Sequence, residues 1–203
     1  MNFAEVIKES LGIFLKNIAA YVAGGFIAIA GSIFIITLPP LFYGLYLMAA
    51  KGARGEKVEV TDVFSGFSFF ARSWAYTIII VLLAFIPAAA LTLALAVPSV
   101  SVLGVVGVIP PIAAVLLYLL ALMIMTVYAI PLMVIKNLGA KEGVMSSISL
   151  VKNNLGQTAL LMLCLFAINI AVSLIPVIGM LLTRPFTAIV VTKAAMECRE
   201  KEG

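Results

Sequence analysis

Three long stretches without a charged residue constrain this chain more than any other feature. They cover residues 18–50, 73–135 and 153–183. A helix needs roughly 20 apolar residues to cross the hydrocarbon layer of a membrane. Each stretch is therefore long enough for at least one crossing, and the middle stretch fits two comfortably. The sequence predicts an all-α, polytopic helical membrane protein.

The composition supports the same class of protein. Hydrophobic residues make up 64% of the 203 residues, charged residues make up 11%, and the mean hydropathy is +1.24. Soluble domains average about 45–50% apolar and about 25% charged residues. The N-terminal segment is not typical of a signal peptide, because Glu5, Lys8 and Glu9 interrupt its apolar residues. We interpret it as a retained helix.

An amphipathic segment precedes each uncharged stretch. In residues 2–16, apolar side chains recur every three or four positions, which is typical of a helix lying in the membrane interface. Similar patterns cover residues 61–74 and 136–153. We predict about six transmembrane helices as three hairpins, each preceded by an amphipathic interfacial helix. For residues 18–50, a single bent crossing is the alternative to a hairpin that breaks between Gly31 and Pro40.

The positions of the basic residues predict the orientation. Lysine and arginine accumulate on the cytoplasmic side of membrane proteins. Every basic residue except Arg184 lies at the end of an uncharged stretch that the three hairpins place on one side. We therefore predict a multi-pass protein of the cytoplasmic (inner) membrane with both termini in the cytoplasm. The predicted turns on the opposite side lie at Pro39-Pro40, near Val97–Ser99 and at Pro176–Gly179.

The three amphipathic segments also align with one another. When their basic ends, Lys16, Arg72 and Lys152, are superimposed, small residues fall opposite each other. These small residues are Ser10, Gly66 and Ser146. We interpret residues 1–203 as a single membrane domain with an internal repeat, a feature that is frequent in transporters. The repeat-like units comprise residues 2–57, 58–136 and 137–203.

Three segments of the chain resemble a known group of membrane proteins. They are PPLFYGLYLMAAKGARGE, TDVFSGF and PLMVIKNLGAKEGVMSSISLVKN. On these residues the chain resembles uncharacterised prokaryotic membrane proteins, among them the YciC-like six-helix proteins and the membrane domain attached to some glycerophosphodiester phosphodiesterases. The resemblance implies a six-helix fold in the cytoplasmic membrane, and it implies no activity.

Arg184 is the basic residue that the predicted topology does not explain. It lies nine positions before Lys193, about 13 Å along a helix, and a charge at the bilayer centre costs roughly 2.5–3.5 kcal/mol. Two interpretations stay open: a site for a lipid phosphate, an anionic substrate or a partner's carboxylate, or a side chain that snorkels to the outer interface. Lys16, Arg72 and Lys152 are further candidate contacts for lipid or a partner, although topology alone accounts for them.

The sequence shows no pattern typical of a catalytic or metal site. It has no histidine, and its two cysteines lack metal-binding spacing. We predict a non-enzymatic integral membrane protein, a scaffold or accessory subunit of a membrane complex with lipid contacts. The alternative is a small transporter or lipid-handling protein that uses Arg184 as its anion contact. The expected partners are the lipid bilayer and a membrane protein complex or further copies of this chain, with no cofactor, metal or nucleic acid.

Overall fold

The computed structural model describes residues 3–96, 104–173 and 176–200. Within these ranges the chain forms α-helices and short 3₁₀ helices and no strand, which confirms the all-α prediction. The α-helices in chain order are α1 (Phe3–Lys16), α2 (Ile18–Gly31), α3 (Leu38–Ala53), α4 (Phe70–Ala96), α5 (Gly104–Thr126), α6 (Ala129–Lys136), α7 (Ala140–Asn153), α8 (Leu155–Ser173) and α9 (Pro176–Glu200). A 3₁₀ helix at Val60–Phe69, named the 3₁₀ segment below, runs directly into α4.

Three helical stretches in the described part of the chain are long and apolar enough to cross a membrane. They lie within Val60–Leu93, Ile109–Lys136 and Leu155–Val172. A fourth is added if α1 and α2, which meet at an angle of 88°, form one broken span. These lengths fit a polytopic helical membrane protein. The count of six crossings stays a prediction, and α2 and α3 have only 14 and 16 residues.

The predicted break between Gly31 and Pro40 is confirmed, but its prolines have a different role. Residues 32–37 make the turn, and Pro39 and Pro40 lie in the first turn of α3. Backbone N–H groups in a first helical turn have no partner within the helix, so proline fits there without losing a hydrogen bond. The prolines therefore start a helix instead of breaking one.

The other two predicted turns are placed only in part. The turn expected near Val97–Ser99 lies outside the described residues. The last hairpin was expected to break at Pro176–Gly179, whereas α9 already begins at Pro176. The preceding helix α8 is described as far as Ser173, and residues 174–175 lie outside the described ranges. Proline again occupies the start of a helix, as it does in α3.

The amphipathic segments form as predicted at α1, with corrections for the other two. The second is a 3₁₀ helix over residues 60–69 and becomes α-helical only from Phe70. Its two exposed phenylalanines, Phe64 and Phe67, are three positions apart, as a period of 3.0 residues requires. The third, α7, begins at Ala140 and not at residue 136, because Asn137 adopts a left-handed conformation (φ 55°) and ends α6.

The helices pack in a closed order. At the centre, α3, α6 and α9 all contact one another. Each amphipathic element packs on the hairpin that precedes it in the chain: the 3₁₀ segment packs on α3, and α7 packs on α5 and α6. The first amphipathic helix, α1, packs on the last helix, where Glu9 binds Lys193 (Oε2 to Nζ 2.6 Å) and the rings of Phe14 and Phe186 meet edge to face. The first and the last of the described helices are therefore packed against each other.

The outer surface of α4, α5 and α8 is apolar. Large side chains on these helices are exposed over about half of their area or more, as is expected where lipid replaces water. Examples are Leu82, Phe85, Leu116, Leu117, Leu163 and Phe166. The same three helices lie within the candidate spans. The exposed apolar band therefore coincides with the segments that are long enough to cross a bilayer.

Asp62 joins the 3₁₀ segment to α3. Its carboxylate oxygens accept hydrogen bonds from Lys51 Nζ at 2.8 and 2.9 Å, and Oδ2 also accepts from the backbone N–H of Glu59 at 2.8 Å. The hydrogen bond to Asp62 raises the pKa of the Lys51 ammonium. Because Lys51 stays protonated at neutral pH, the pair combines a helix cap with a charge-assisted contact between two elements.

We expect Asp62→Ala to lower the free energy of unfolding by about 1–2 kcal/mol, because it removes both the cap and the charged acceptor. Thermal unfolding in a mild detergent measures the change. Glu56→Ala is the matched control, since its contact with Arg54 is long (3.9 Å) and both side chains are about half exposed. Equal effects of the two substitutions would contradict the assignment.

Candidate binding site

A cavity of about 770 Å³ lies between α3, α4, α5, α8 and α9. This volume is within the range of roughly 300–1,000 Å³ that is usual for small-molecule sites. Most of the wall is aliphatic or aromatic. Its apolar residues include Leu45, Ile80, Leu119, Leu122, Met162 and Leu165. The cavity therefore suits a ligand that is itself largely apolar.

A few polar side chains line the same cavity. They are Tyr46, Tyr76, Thr126, Asn169, Thr183, Arg184 and Thr187. Two of them are tied to their own helix: Thr126 Oγ1 donates to the Leu122 carbonyl and Asn169 Nδ2 donates to the Leu165 carbonyl, both at 2.7 Å. Such bonds satisfy a polar side chain inside an apolar surrounding. A small number of fixed polar groups among apolar walls is typical of a site that orients one end of a ligand.

Arg184 is the charged member of the cavity wall. Its guanidinium carbon lies 5.7 Å from the centre of the Phe42 ring, within the range of a cation–π contact. The side chain is exposed, and among the described residues no carboxylate or carbonyl accepts a hydrogen bond from it. α9 is continuous through Pro185. The guanidinium therefore offers its hydrogen-bond donors to a ligand at the edge of the cavity.

The cavity opens sideways. Met123 of α5 and Phe166 of α8 line it and are also 57% and 63% exposed on the outer surface. Both helices lie within the candidate spans, and their neighbouring exposed side chains are apolar. The cavity therefore opens at the exposed apolar surface of α5 and α8.

Arg72, predicted as a lipid or partner contact, makes interactions within the protein. Its Nη1 donates to Asn137 Oδ1 at 2.6 Å, and its guanidinium carbon lies 5.3 Å from the centre of the Phe69 ring. Asn137 is the left-handed residue that ends α6. Arg72 therefore holds the start of α4 against the end of α6, which is a structural role.

Lys16 and Lys152, the remaining predicted contacts, lie in separate surroundings. Lys16 is exposed at the end of α1 and lines a smaller cavity of about 210 Å³ together with Asn17, Gly52 and Glu56. Lys152 is exposed on α7, with no ion pair to any described residue. The structure therefore does not gather the four predicted basic residues into one site, and only Arg184 belongs to the large cavity.

The uncharged polar residues of the cavity were not among the residues predicted from the sequence. Asn169 gave the clearest signal, since an amide in the middle of an apolar helix is expected to face other helices or a cavity. Tyr46 and Tyr76 gave none, because tyrosine is common in membrane helices. In the described part of the chain, no group of three or more His, Cys, Asp or Glu side chains is placed to hold a metal ion.

Together, the helices and the cavity define a class: a protein that is helical throughout its described ranges, with candidate membrane spans and a mostly apolar, open cavity whose described wall includes one cation, Arg184. Comparison with protein-family models, with curated proteins and with solved structures finds no match to this chain. The resemblance to the YciC-like proteins therefore stays a prediction.

Proposed function

We propose that this protein binds an anionic lipid, with the headgroup at Arg184 and an acyl chain in the cavity. The observation that carries the proposal is the position of the guanidinium, at the edge of an apolar cavity and without an acceptor among the described residues. A charge beside apolar walls is costly unless it is paired. A bound anion offsets that cost, and the rest of the lipid fills the apolar space.

The chemistry of the site favours a phosphate or carboxylate headgroup. Arginine presents a planar fork of N–H donors that matches both groups, and it remains protonated at any physiological pH. The hydroxyls of Tyr46 and Thr187 line the same cavity and provide further donors. The lateral opening supports a ligand that arrives from the bilayer and not from water.

We also infer that the ends of α1, α3 and α9 that carry lysines face the cytoplasm, in the inner membrane. Lys193 binds Glu9, and Lys16 shares the smaller cavity with Gly52 at the end of α3. These contacts bring basic residues from three elements to one side of the structure. Such clustering supports the predicted cytoplasmic location of both termini.

The proposal takes up the second of the two functions expected from the sequence. The first, a non-enzymatic scaffold or accessory subunit, is compatible with a bound lipid. Among the described residues, no cavity or cluster of side chains specifically supports a scaffold function. Lipid binding is supported by a cavity of suitable size with a cation at its edge. Lipid binding is therefore the better supported function.

We expect Arg184→Leu to weaken binding of phosphatidylglycerol about tenfold or more. Hydrogen bonds to charged groups contribute roughly 1.5–3 kcal/mol, and 1.4 kcal/mol corresponds to a factor of ten in affinity. Native mass spectrometry of the detergent-purified protein, titrated with phosphatidylglycerol and with phosphatidylcholine, measures both affinities. Arg184→Lys should give an intermediate loss, since it keeps the charge but loses the fork of donors.

Two further variants separate the headgroup contact from general effects. Arg54→Leu removes an exposed arginine outside the cavity and should leave phosphatidylglycerol binding unchanged. Ala84→Trp fills the cavity and should weaken binding of both lipids. Unchanged phosphatidylglycerol affinity in Arg184→Leu, or equal affinities for the two lipids in the native protein, would show that Arg184 only snorkels to the interface.

A further inference from the structure

We propose that α2 and α3 form a re-entrant hairpin, whose tip at residues 33–36 inserts into the acyl chains of the leaflet in which α4 begins. The hairpin enters and leaves on the same side and does not reach the opposite surface. This arrangement replaces the two crossings predicted for residues 18–50, and it is independent of lipid binding at Arg184. The partner of this surface is the hydrocarbon of a single leaflet.

The side chains at the tip are apolar and open. Residues 33–36 are Ile-Phe-Ile-Ile, and each is 61–80% exposed. Turns that face water are usually built from glycine, proline and small polar residues. Four large apolar side chains at the bend would therefore be misplaced at a water-facing end of a crossing hairpin. In contact with acyl chains, the same four side chains are in a favourable apolar environment.

Most of the backbone carbonyls at the bend are paired within the protein. The carbonyls of residues 28–31 and 34–36 all accept a hydrogen bond from a protein donor. The Ser32 hydroxyl donates to the Ile29 carbonyl at 2.6 Å, and the Thr37 hydroxyl donates to the carbonyls of Gly31 and Phe34. A turn in water does not need such pairing, but non-helical backbone at membrane depth does. The pairing of these carbonyls lowers the cost of placing the bend in hydrocarbon.

A long-range hydrogen bond fixes the depth of the tip. Trp74 Nε1 donates to the Ile36 carbonyl at 3.0 Å, which places the tip beside the first turns of α4. From Trp74 to Ala96, α4 continues for 22 residues, about 33 Å at 1.5 Å per residue. That rise equals roughly the whole hydrocarbon thickness of a bilayer. The tip therefore lies beside the beginning of α4 and far from its other end, so it stays in the leaflet in which α4 begins.

Spin-label accessibility tests the location of the tip. In a background with Cys164→Ala and Cys198→Ala, the variant Ile35→Cys is labelled with a nitroxide and reconstituted in phosphatidylcholine vesicles with phosphatidylglycerol. We expect more frequent collisions with oxygen than with the water-soluble reagent NiEDDA. Leu163→Cys, on the exposed surface of α8, should behave in the same way, whereas Arg54→Cys should show the opposite order.

The outcomes that would overturn the proposal are distinct. Frequent collisions of the Ile35 label with NiEDDA would place the tip in water, as expected for a hairpin that crosses twice. A label that neither reagent reaches would place the tip under another protein chain. Either result excludes contact with acyl chains. Collisions with oxygen alone support the proposal.

A distance measurement separates a deep re-entrant tip from a full crossing. In the same background, a pulsed electron–electron resonance experiment uses labels at Ile35→Cys and Leu93→Cys. We expect a distance of about 30 Å, from the helical rise between Trp74 and Leu93. A crossing hairpin would bring its tip to the far end of α4, at a separation of about 20 Å or less for helices packed 8–10 Å apart. The shorter distance would overturn the proposal.

Discussion

Gly66→Ala is expected to lower the free energy of unfolding by about 3 kcal/mol. A methyl group added at Gly66 would overlap the Pro40 carbonyl oxygen and the backbone of Gly44, both in α3. These are backbone atoms and cannot rotate away as a flexible side chain would, so the 3₁₀ segment must move off α3. Unfolding in a mild detergent, followed by loss of helical circular dichroism, measures the change.

The chain provides matched glycine controls. Gly44→Ala places a methyl group against the Val63 carbonyl in the same contact and should be equally damaging. Gly12→Ala, in α1, meets nothing within 4 Å. It should stabilise the protein by about 0.5–1 kcal/mol, because alanine favours a helix over glycine. If Gly66→Ala proves no less stable than Gly12→Ala, then the close contact between the 3₁₀ segment and α3 does not exist.

Ser147→Ala is expected to cost about 2–3 kcal/mol. The hydroxyl of Ser147 is fully buried, donates to the Met125 carbonyl at 2.8 Å and accepts from the backbone N–H of Tyr128 at 3.2 Å. These two groups lie at the break between α5 and α6, where the helical hydrogen-bond ladder is interrupted. Alanine leaves both without this partner, at roughly 1–3 kcal/mol for each unsatisfied buried group.

The measurement for Ser147 combines unfolding with hydrogen exchange. We expect the Tyr128 amide to exchange faster in Ser147→Ala, because its acceptor is gone. Ser149→Ala, on the exposed side of α7, is the matched control and should change neither stability nor exchange. Equal behaviour of the two variants would refute the bridging role of Ser147.

Local patterns in the sequence predicted the elements well where the chain contains its own signals. The periodicity of residues 2–16 gave α1, and the absence of charge gave the apolar stretches. Periodicity does not distinguish Ser147, which is buried in α7, from Ser149, which is exposed two positions later. A helical period shows which residues share a face, but the break in a distant helix decides which serine is needed inside.

The candidate site, too, could be predicted only in part from the sequence. Arg184 was evident from the sequence because a charge in an apolar helix is rare and costly. The cavity beside it is formed by residues from α3 to α9, so its shape follows from packing that no local pattern encodes. The 3₁₀ geometry of residues 60–69 is a similar case. The close approach of Gly66 to α3 involves a contact about 25 positions away in the chain, beyond the reach of periodicity.

The closed order of helix packing has a consequence for biosynthesis. A main partner of α1 is α9, which is synthesised long after α1, so the contacts of Glu9 with Lys193 and of Phe14 with Phe186 cannot form before α9 is made. Until α9 is made, α1 lacks this packing partner, and its amphipathic pattern allows it to bind the membrane surface during that time. Docking of α1 therefore follows the synthesis of α9, and the two helices enter the folded structure together.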